Sequence, residues 1–230
     1  MKLLVLIIFI ILFIIVFIYR YYLNNEITLI SNIREGCCQL TYSSNKIPLA
    51  PINGGLEFTF SFWLYLSSWE YKYNQEKIIL FWKGKNIKDD IFVIDGILGK
   101  CLEREKKKIK KYRKSITGKY GGLKISLSET DNNLIVSYSL LNGLTETLTI
   151  KNIPLQKWIN ITVLLRLRNL DIFLNGSLYK TKYLKDVPLY GKHKLIVNGG
   201  GGYDGYISKL KYYNQAITFP KIKEIFHKGH

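Results

Sequence analysis

The sequence predicts an all-β protein, an antiparallel β-sandwich carried behind one N-terminal apolar helix. Three observations predict it. Leu3 to Ile18 is an unbroken run of Leu, Val, Ile and Phe. Beyond about residue 55 the apolar residues recur at every second position, the period of a half-buried strand. Turn signals return about every 8–12 residues with no long amphipathic helix between them, which favours a sandwich over an α/β protein.

The apolar run lies between Lys2 and Arg20, and with Tyr19, Tyr21 and Tyr22 it gives about 20 residues, or ~30 Å of helix, the thickness of a bilayer core. Its 16 apolar side chains, at roughly −0.3 to −0.6 kcal/mol each, favour insertion by about 5–10 kcal/mol. A cleaved signal peptide would have a shorter core of about 7–15 residues and a small-residue cleavage site. Tyr19-Arg20-Tyr21-Tyr22 offers no such site. Residues 1–22 are therefore expected to be an uncleaved single-pass anchor whose partner is the lipid bilayer. Its orientation stays open, because Lys2 and the amino terminus nearly balance Arg20 and Arg34.

Residues 23–54 read as a juxtamembrane linker of mixed polarity containing Pro48 and Pro51, and the sandwich is expected over 55–230. In LEFTFSFWLYL, the residues Leu56, Phe58, Phe60, Phe62, Leu64 and Leu66 share one face, and Glu57, Thr59, Ser61, Trp63 and Tyr65 share the other. LKISLS turns Leu123, Ile125 and Leu127 inward, and LIVSYSL does the same with Leu134, Val136, Tyr138 and Leu140, across the polar turn Glu129 to Asn133. Asn142-Gly143 leads into TETLTI, and WINITVLLRL reads as a largely buried strand. DIFLNGSLYKTKYL is a hairpin around Asn175-Gly176, the dipeptide suited to a type I′ turn. After Val197 and a glycine-rich stretch, Tyr206 to Tyr213 resume strand character. A short terminal helix follows, with Thr218 as N-cap, Pro220 in its first turn and Ile222, Ile225 and Phe226 as its inward stripe.

The chain has 34 basic and 17 acidic residues, a net charge of +17. Such an excess predicts attraction to phosphates, anionic headgroups or acidic protein surfaces, and says nothing of fold. Cys37, Cys38 and Cys101 are too few, and odd in number, for a disulfide scaffold. One disulfide to Cys101 and three free thiols are both compatible with the sequence.

Trp158-Ile159-Asn160-Ile161-Thr162, Leu170 to Gly176 (LDIFLNG), Gly202 to Leu210 (GYDGYISKL) and the following Ala216 to Ile222 resemble the concanavalin A-like, laminin G-like or pentraxin-like jelly-roll domains. FSFWLYLSSW and EKIILFWKG look like the first core strands of that domain. The resemblance spans about residues 55–228, with a basic insertion at about 95–120. It implies a concanavalin A-like jelly-roll. With the N-terminal anchor and this composition, the chain also resembles proteins of large nucleocytoplasmic DNA viruses, some of them virion components. The implied location is then a virion internal membrane, and the implied partner an acidic surface of a capsid or other virion protein.

Catalytic chemistry finds little footing. Glycosidases on this sandwich carry an E-x-D-x-x-E strand motif, and here Glu129-Thr130-Asp131-Asn132-Asn133-Leu134 puts leucine where the second glutamate belongs. That removes the carboxylate pair either mechanism requires. Gly199 to Gly202 lacks the following Lys-Ser/Thr of a phosphate loop. The structural reading of that run is a close backbone approach, with Tyr203 and Asp204 as a candidate ligand loop. His193, His227 and His230 lack zinc-ligand spacing. The resemblance raises calcium at the loop tips, but the aspartates are scattered, so no cofactor and no metal site are expected.

Lys100 to Lys119 carries ten basic and two acidic residues, a net +8. Lys106, Lys107, Lys108, Lys110, Lys111, Arg113 and Lys114 form a candidate electrostatic contact. Only Tyr112 interleaves with these charges, so nucleic acid is not an expected partner. Asn160 and Asn175 match glycosylation acceptors. The expectation is a non-enzymatic, membrane-anchored interaction protein linking a virion membrane to a protein shell. The alternative is an anchored lectin or adhesin using loop tips and aromatics such as Trp69, Tyr71 and Tyr73.

Overall fold

The period-2 segments fold as strands, and the alternation decides which face of each strand reaches the core. A computed structural model describes residues 9–17, 26–47, 56–83, 122–189 and 194–230. Its strands are β1 (Glu26–Thr28), β2 (Arg34–Glu35), β3 (Leu40–Tyr42), β4 (Glu57–Leu66), β5 (Lys77–Lys83), β6 (Leu123–Leu127), β7 (Leu134–Ser139), β8 (Thr145–Ile150), β9 (Trp158–Arg166), β10 (Asn169–Leu174), β11 (Ser177–Tyr183), β12 (Lys194–Val197) and β13 (Gly205–Tyr213). Helices α1 (residues 9–17) and α2 (Phe219–His227) flank them. One sheet runs β1-β13-β4-β9-β10-β11 with β2 also on β13, and the other runs β3-β12-β5-β6-β7-β8. Every strand pairing is antiparallel, so the β-sandwich expected from the sequence is present.

The core lies between the sheets. Phe58, Phe60, Phe62, Leu64 and Leu66 of β4 meet Leu123, Ile125 and Leu127 of β6 and Leu134, Val136 and Tyr138 of β7, all buried as the alternation requires. Trp82 of β5 is the hub: its ring meets Phe58 edge-on at 5.1 Å and Phe60 at 5.6 Å, in the T-shaped geometry that aromatic quadrupoles favour. The 175–176 hairpin forms as the dipeptide dictates, with positive φ at both Asn175 (48°) and Gly176 (75°). Asn160 is fully buried and donates its amide to the Phe62 carbonyl at 3.3 Å, so the folded domain offers no glycan acceptor there.

One expectation changes. The segment expected as linker contributes β1, β2 and β3, which pair with β13 and β12 and so enter both sheets. Strands of two or three residues are too short to show a period, and tertiary pairing alone defines them. At the N-terminus the described part of the expected anchor, residues 9–17, is helical and exposed. Among the described residues no helix is long and apolar enough to cross a membrane. The rest of the expected anchor, residues 1–8 and 18–22, lies outside the described residues, as do the basic insertion and Cys101.

The outermost strands of the two sheets, β8 and β11, are bridged by an ion pair. Lys182 Nζ lies 3.0 Å from Glu146 Oε2, and the Lys185 backbone N–H donates to Glu146 Oε1 at 2.8 Å. Burial pushes the Glu146 carboxyl up, but the hydrogen bonds from Lys185 and Lys182 outweigh it and hold the group below its usual range. A depressed carboxylate stabilises the fold above the ordinary carboxylate range, and that contribution disappears as pH falls through the folded value. Glu146→Gln is expected to cost about 1–2 kcal/mol at pH 7. In urea denaturation the gap between variant and parent should close at acidic pH. A gap that persists at pH 2 would show that shape rather than charge is responsible.

Candidate functional site

Because β4 points its phenylalanines inward, Thr59, Ser61, Trp63 and Tyr65 must line the outer face of its sheet. Register supplies their neighbours. Tyr65 lies between Trp158 of β9 and Tyr206 of β13, and Trp63 lies between Asn160 and Ser208. Part of this face is covered by α2, whose Ile222 and Ile225 join Leu164, Phe173, Tyr213 and Ile217 in a second apolar cluster. The Phe226 ring stacks on Trp63, with centroids 5.7 Å apart and planes 19° apart.

Past the helix the face is open, and an aromatic row continues across three adjacent strands. Tyr206 and Tyr65 are 6.0 Å apart, Tyr65 and Trp158 are 5.5 Å apart, and the His230 imidazole stacks on Trp158 at 4.5 Å. Ile33, Tyr65, Trp158 and Tyr206 line a shallow cleft of about 290 Å³. Tyr206 is 41% exposed and Ile33 55%, so much of their apolar surface faces solvent. A row of aromatic faces on a sheet accepts flat, partly apolar ligands, with little rotamer entropy lost by the rings.

Trp63 also walls a second cavity, about 280 Å³, between β1, β13 and α2. Lys209, Lys211, Lys221 and Lys228 border it. Each has a partner: Lys209 donates to the Gly229 carbonyl at 3.0 Å, Lys211 pairs with Glu26, and Lys221 and Lys228 bond Glu224 at 3.1 and 2.5 Å. These bonds hold Glu224 below its usual range and raise Lys228.

The residues picked from sequence lie elsewhere. Tyr203 of the candidate ligand loop is 1% exposed, its ring against Gly36, and burial pushes its phenol far up. It is a core residue and offers no face to a ligand. Asp204 is half-buried, and its carbonyl accepts the Ser67 N–H at 3.0 Å. The glycine run makes the close approach expected of it: a Cβ on Gly202 would sit 1.9 Å from the Gly36 carbonyl oxygen. Tyr71 and Tyr73 are exposed, with the Tyr71 hydroxyl donating to the Gly201 carbonyl at 2.9 Å. Trp69 instead packs on the core under the Lys77 ammonium, 4.8 Å from its ring centroid. Burial pushes the Lys77 pKa down. Glu129 and Asp131 are exposed on the β6–β7 turn. Lys106, Lys107, Lys108, Lys110, Lys111, Arg113 and Lys114 lie outside the described residues.

Sequence reasoning missed Tyr65, Trp158, Tyr206 and Ile33 as a group. The available signal was aromatic residues at solvent-side positions of a strand, Trp63 and Tyr65, where polar residues are the norm. It also missed a cluster of potential metal ligands. Glu35, Cys37 and Cys38, all exposed, bring three ligand atoms within 4.8 Å of one another, and among the described residues they are the one such group. Both thiols are free, and neighbouring Cys38 and Glu35 raise the Cys37 pKa.

Two antiparallel sheets around an apolar core, with an open aromatic row on one outer face, define a β-sandwich. Among solved structures, the chain is similar to the receptor-binding domain of botulinum neurotoxin C/D mosaic serotype, with a TM-score of 0.58 at 12% identity over 88% of this chain and 44% of that one. It is also similar to the binding domain of botulinum neurotoxin DC in complex with SialylT and to the same domain in complex with rat synaptotagmin II. Their TM-scores are both 0.53, at 13% and 14% identity, each covering 88% of this chain and 46% of that one. At this identity the likeness shows the fold. The chain spans less than half the length of these structures. No family model and no curated protein matches it.

Proposed function

We propose that this chain is a non-catalytic carbohydrate-binding module held to a membrane by its N-terminal apolar segment. The observation that carries the binding reading is the cleft of Ile33, Tyr65, Trp158 and Tyr206, three aromatics from three hydrogen-bonded strands open to solvent on one sheet face. The C–H face of a sugar ring is apolar and its rim is polar, so it stacks on such rings while its hydroxyls stay hydrated or bond the edges of the site. A volume of about 290 Å³ suits one or two sugar rings. One structure of the same fold is a binding domain in complex with SialylT, which is compatible with this use of the sandwich. The structures named above are binding domains, and the expected link between a virion membrane and a capsid draws no support from them.

A glycan array probed with the full chain in detergent tests the module. A restricted set of glycans should bind, and uniform silence would sink the reading. For the tether, alkaline carbonate extraction of membranes containing the protein should leave it in the pellet. Release into the supernatant would remove the anchor from the proposal.

A further inference from the structure

The turn from Glu35 to Gln39 is held far more firmly than an exposed turn needs. The Gly36 N–H donates to the Gly205 carbonyl at 2.7 Å, and the Gly36 carbonyl accepts the Tyr203 N–H at 3.3 Å. Asn198 is fully buried and sits in the left-handed region (φ 53°, ψ 46°). Its amide donates to the Glu35 carbonyl at 3.1 Å and the Cys38 carbonyl at 3.3 Å. The Gly200 N–H donates to Gln39 Oε1 at 3.1 Å, and the Cys38 N–H closes the turn on the Glu35 carbonyl at 3.3 Å. The glycine-rich loop and the buried tyrosine therefore form a seat for this one turn. What the seated turn presents to solvent is a carboxylate and two thiols.

The Cys37 and Cys38 thiols both donate to Glu35 Oε2, each with its sulfur 3.7 Å from that oxygen. Around a tetrahedral zinc ion, metal–sulfur bonds of about 2.3 Å and metal–oxygen bonds of about 2.1 Å place sulfur and oxygen about 3.6 Å apart. The two thiols thus stand off the carboxylate by nearly the edge of that tetrahedron. Two sulfur ligands favour a borderline or soft cation such as Zn²⁺ over Ca²⁺ or Mg²⁺, which require oxygen shells. From these distances and this support we infer that Glu35, Cys37 and Cys38 form a three-ligand site for a thiophilic divalent cation, with water as the fourth ligand. The site is independent of the aromatic cleft, although Glu35 is the register partner of Tyr206.

The test uses the full chain in detergent, fully reduced and stripped of metal, titrated with Co²⁺ and then with Zn²⁺. The expected result is one cobalt per chain, a thiolate-to-cobalt charge-transfer band of two-thiolate intensity, and its loss on zinc addition. Cys37→Ser and Cys38→Ser should each weaken binding by more than the roughly ten- to hundred-fold that follows loss of an outer-shell partner. Cys101→Ser should leave the band intact. Asn198→Gly keeps the left-handed backbone and removes both amide bonds to the turn, so it should lower affinity at unchanged band shape. Absence of the band in reduced protein would overturn the site. So would its survival in the Cys37 and Cys38 variants or its loss in Cys101→Ser, and unchanged affinity in Asn198→Gly would overturn the role given to the seat.

Discussion

Gly202→Ala is expected to destabilise the domain by on the order of 3–5 kcal/mol, whereas Gly200→Ala, two residues away, should cost about 1 kcal/mol. At Gly202 the backbone has φ 51° and ψ −130°, a conformation almost closed to residues with a Cβ. A Cβ there would also meet the Gly36 carbonyl oxygen at 1.9 Å, a collision with backbone that no rotamer relieves. Separating the two segments would break the bond from Tyr203 N–H to the Gly36 carbonyl and loosen that from Gly36 N–H to the Gly205 carbonyl. Gly200, at φ 62° and ψ 29°, has nothing within 4 Å of its would-be Cβ, so the left-handed backbone is the whole cost. Paired urea denaturation of the two variants checks this. Equal losses would mean that the glycine run serves chain flexibility and not the close passage of two backbones.

Trp158→Ala is expected to weaken glycan binding by at least roughly 30-fold, about 2 kcal/mol, with no change in strand content by circular dichroism. The indole forms one wall of the cleft, contacts Tyr65 at 5.5 Å and is backed by His230 at 4.5 Å. Its removal therefore takes away stacking surface and also frees the neighbouring rings. Tyr206→Ala should give a loss of the same kind from the opposite wall. Tyr183, 62% exposed on β11 at the far side of the same sheet, is the control, and Tyr183→Ala should bind as the parent does. Should the ligand found on the array bind equally to Trp158→Ala and the parent, the cleft is not its site.

Legibility in the sequence followed the strength of the local signal. β4, β6, β7 and β9 were readable because a buried face imposes alternation on the residues themselves, as Phe58-x-Phe60-x-Phe62 shows. The turn at Asn175-Gly176 was readable because both its residues need positive φ. α2 was readable from Thr218, Pro220 and the Ile222/Ile225 spacing. β1, β2 and β3 were not, since two or three edge residues carry no period. The candidate site was the least legible part. Trp63 and Tyr65 could be placed on the solvent side, but α2 buries Trp63 to 6% exposure while Tyr65 remains in the open row. Tyr203, chosen for its place beside the glycines, points into the core.

By itself the sequence determined what is local: the apolar N-terminal run, the all-β class, the turns and the inward face of each long strand. These follow from transfer energies, periodicity and backbone stereochemistry acting within a few residues. Only the tertiary structure decided which outward residues meet. Tyr65, Trp158 and Tyr206 are drawn from strands that begin at residues 57, 158 and 205, and Glu35, Cys37 and Cys38 are seated by Asn198 and Tyr203 from the far end of the chain. Strand order and register bring such residues together, and both are set by packing between distant segments, which leaves no mark on the residues themselves.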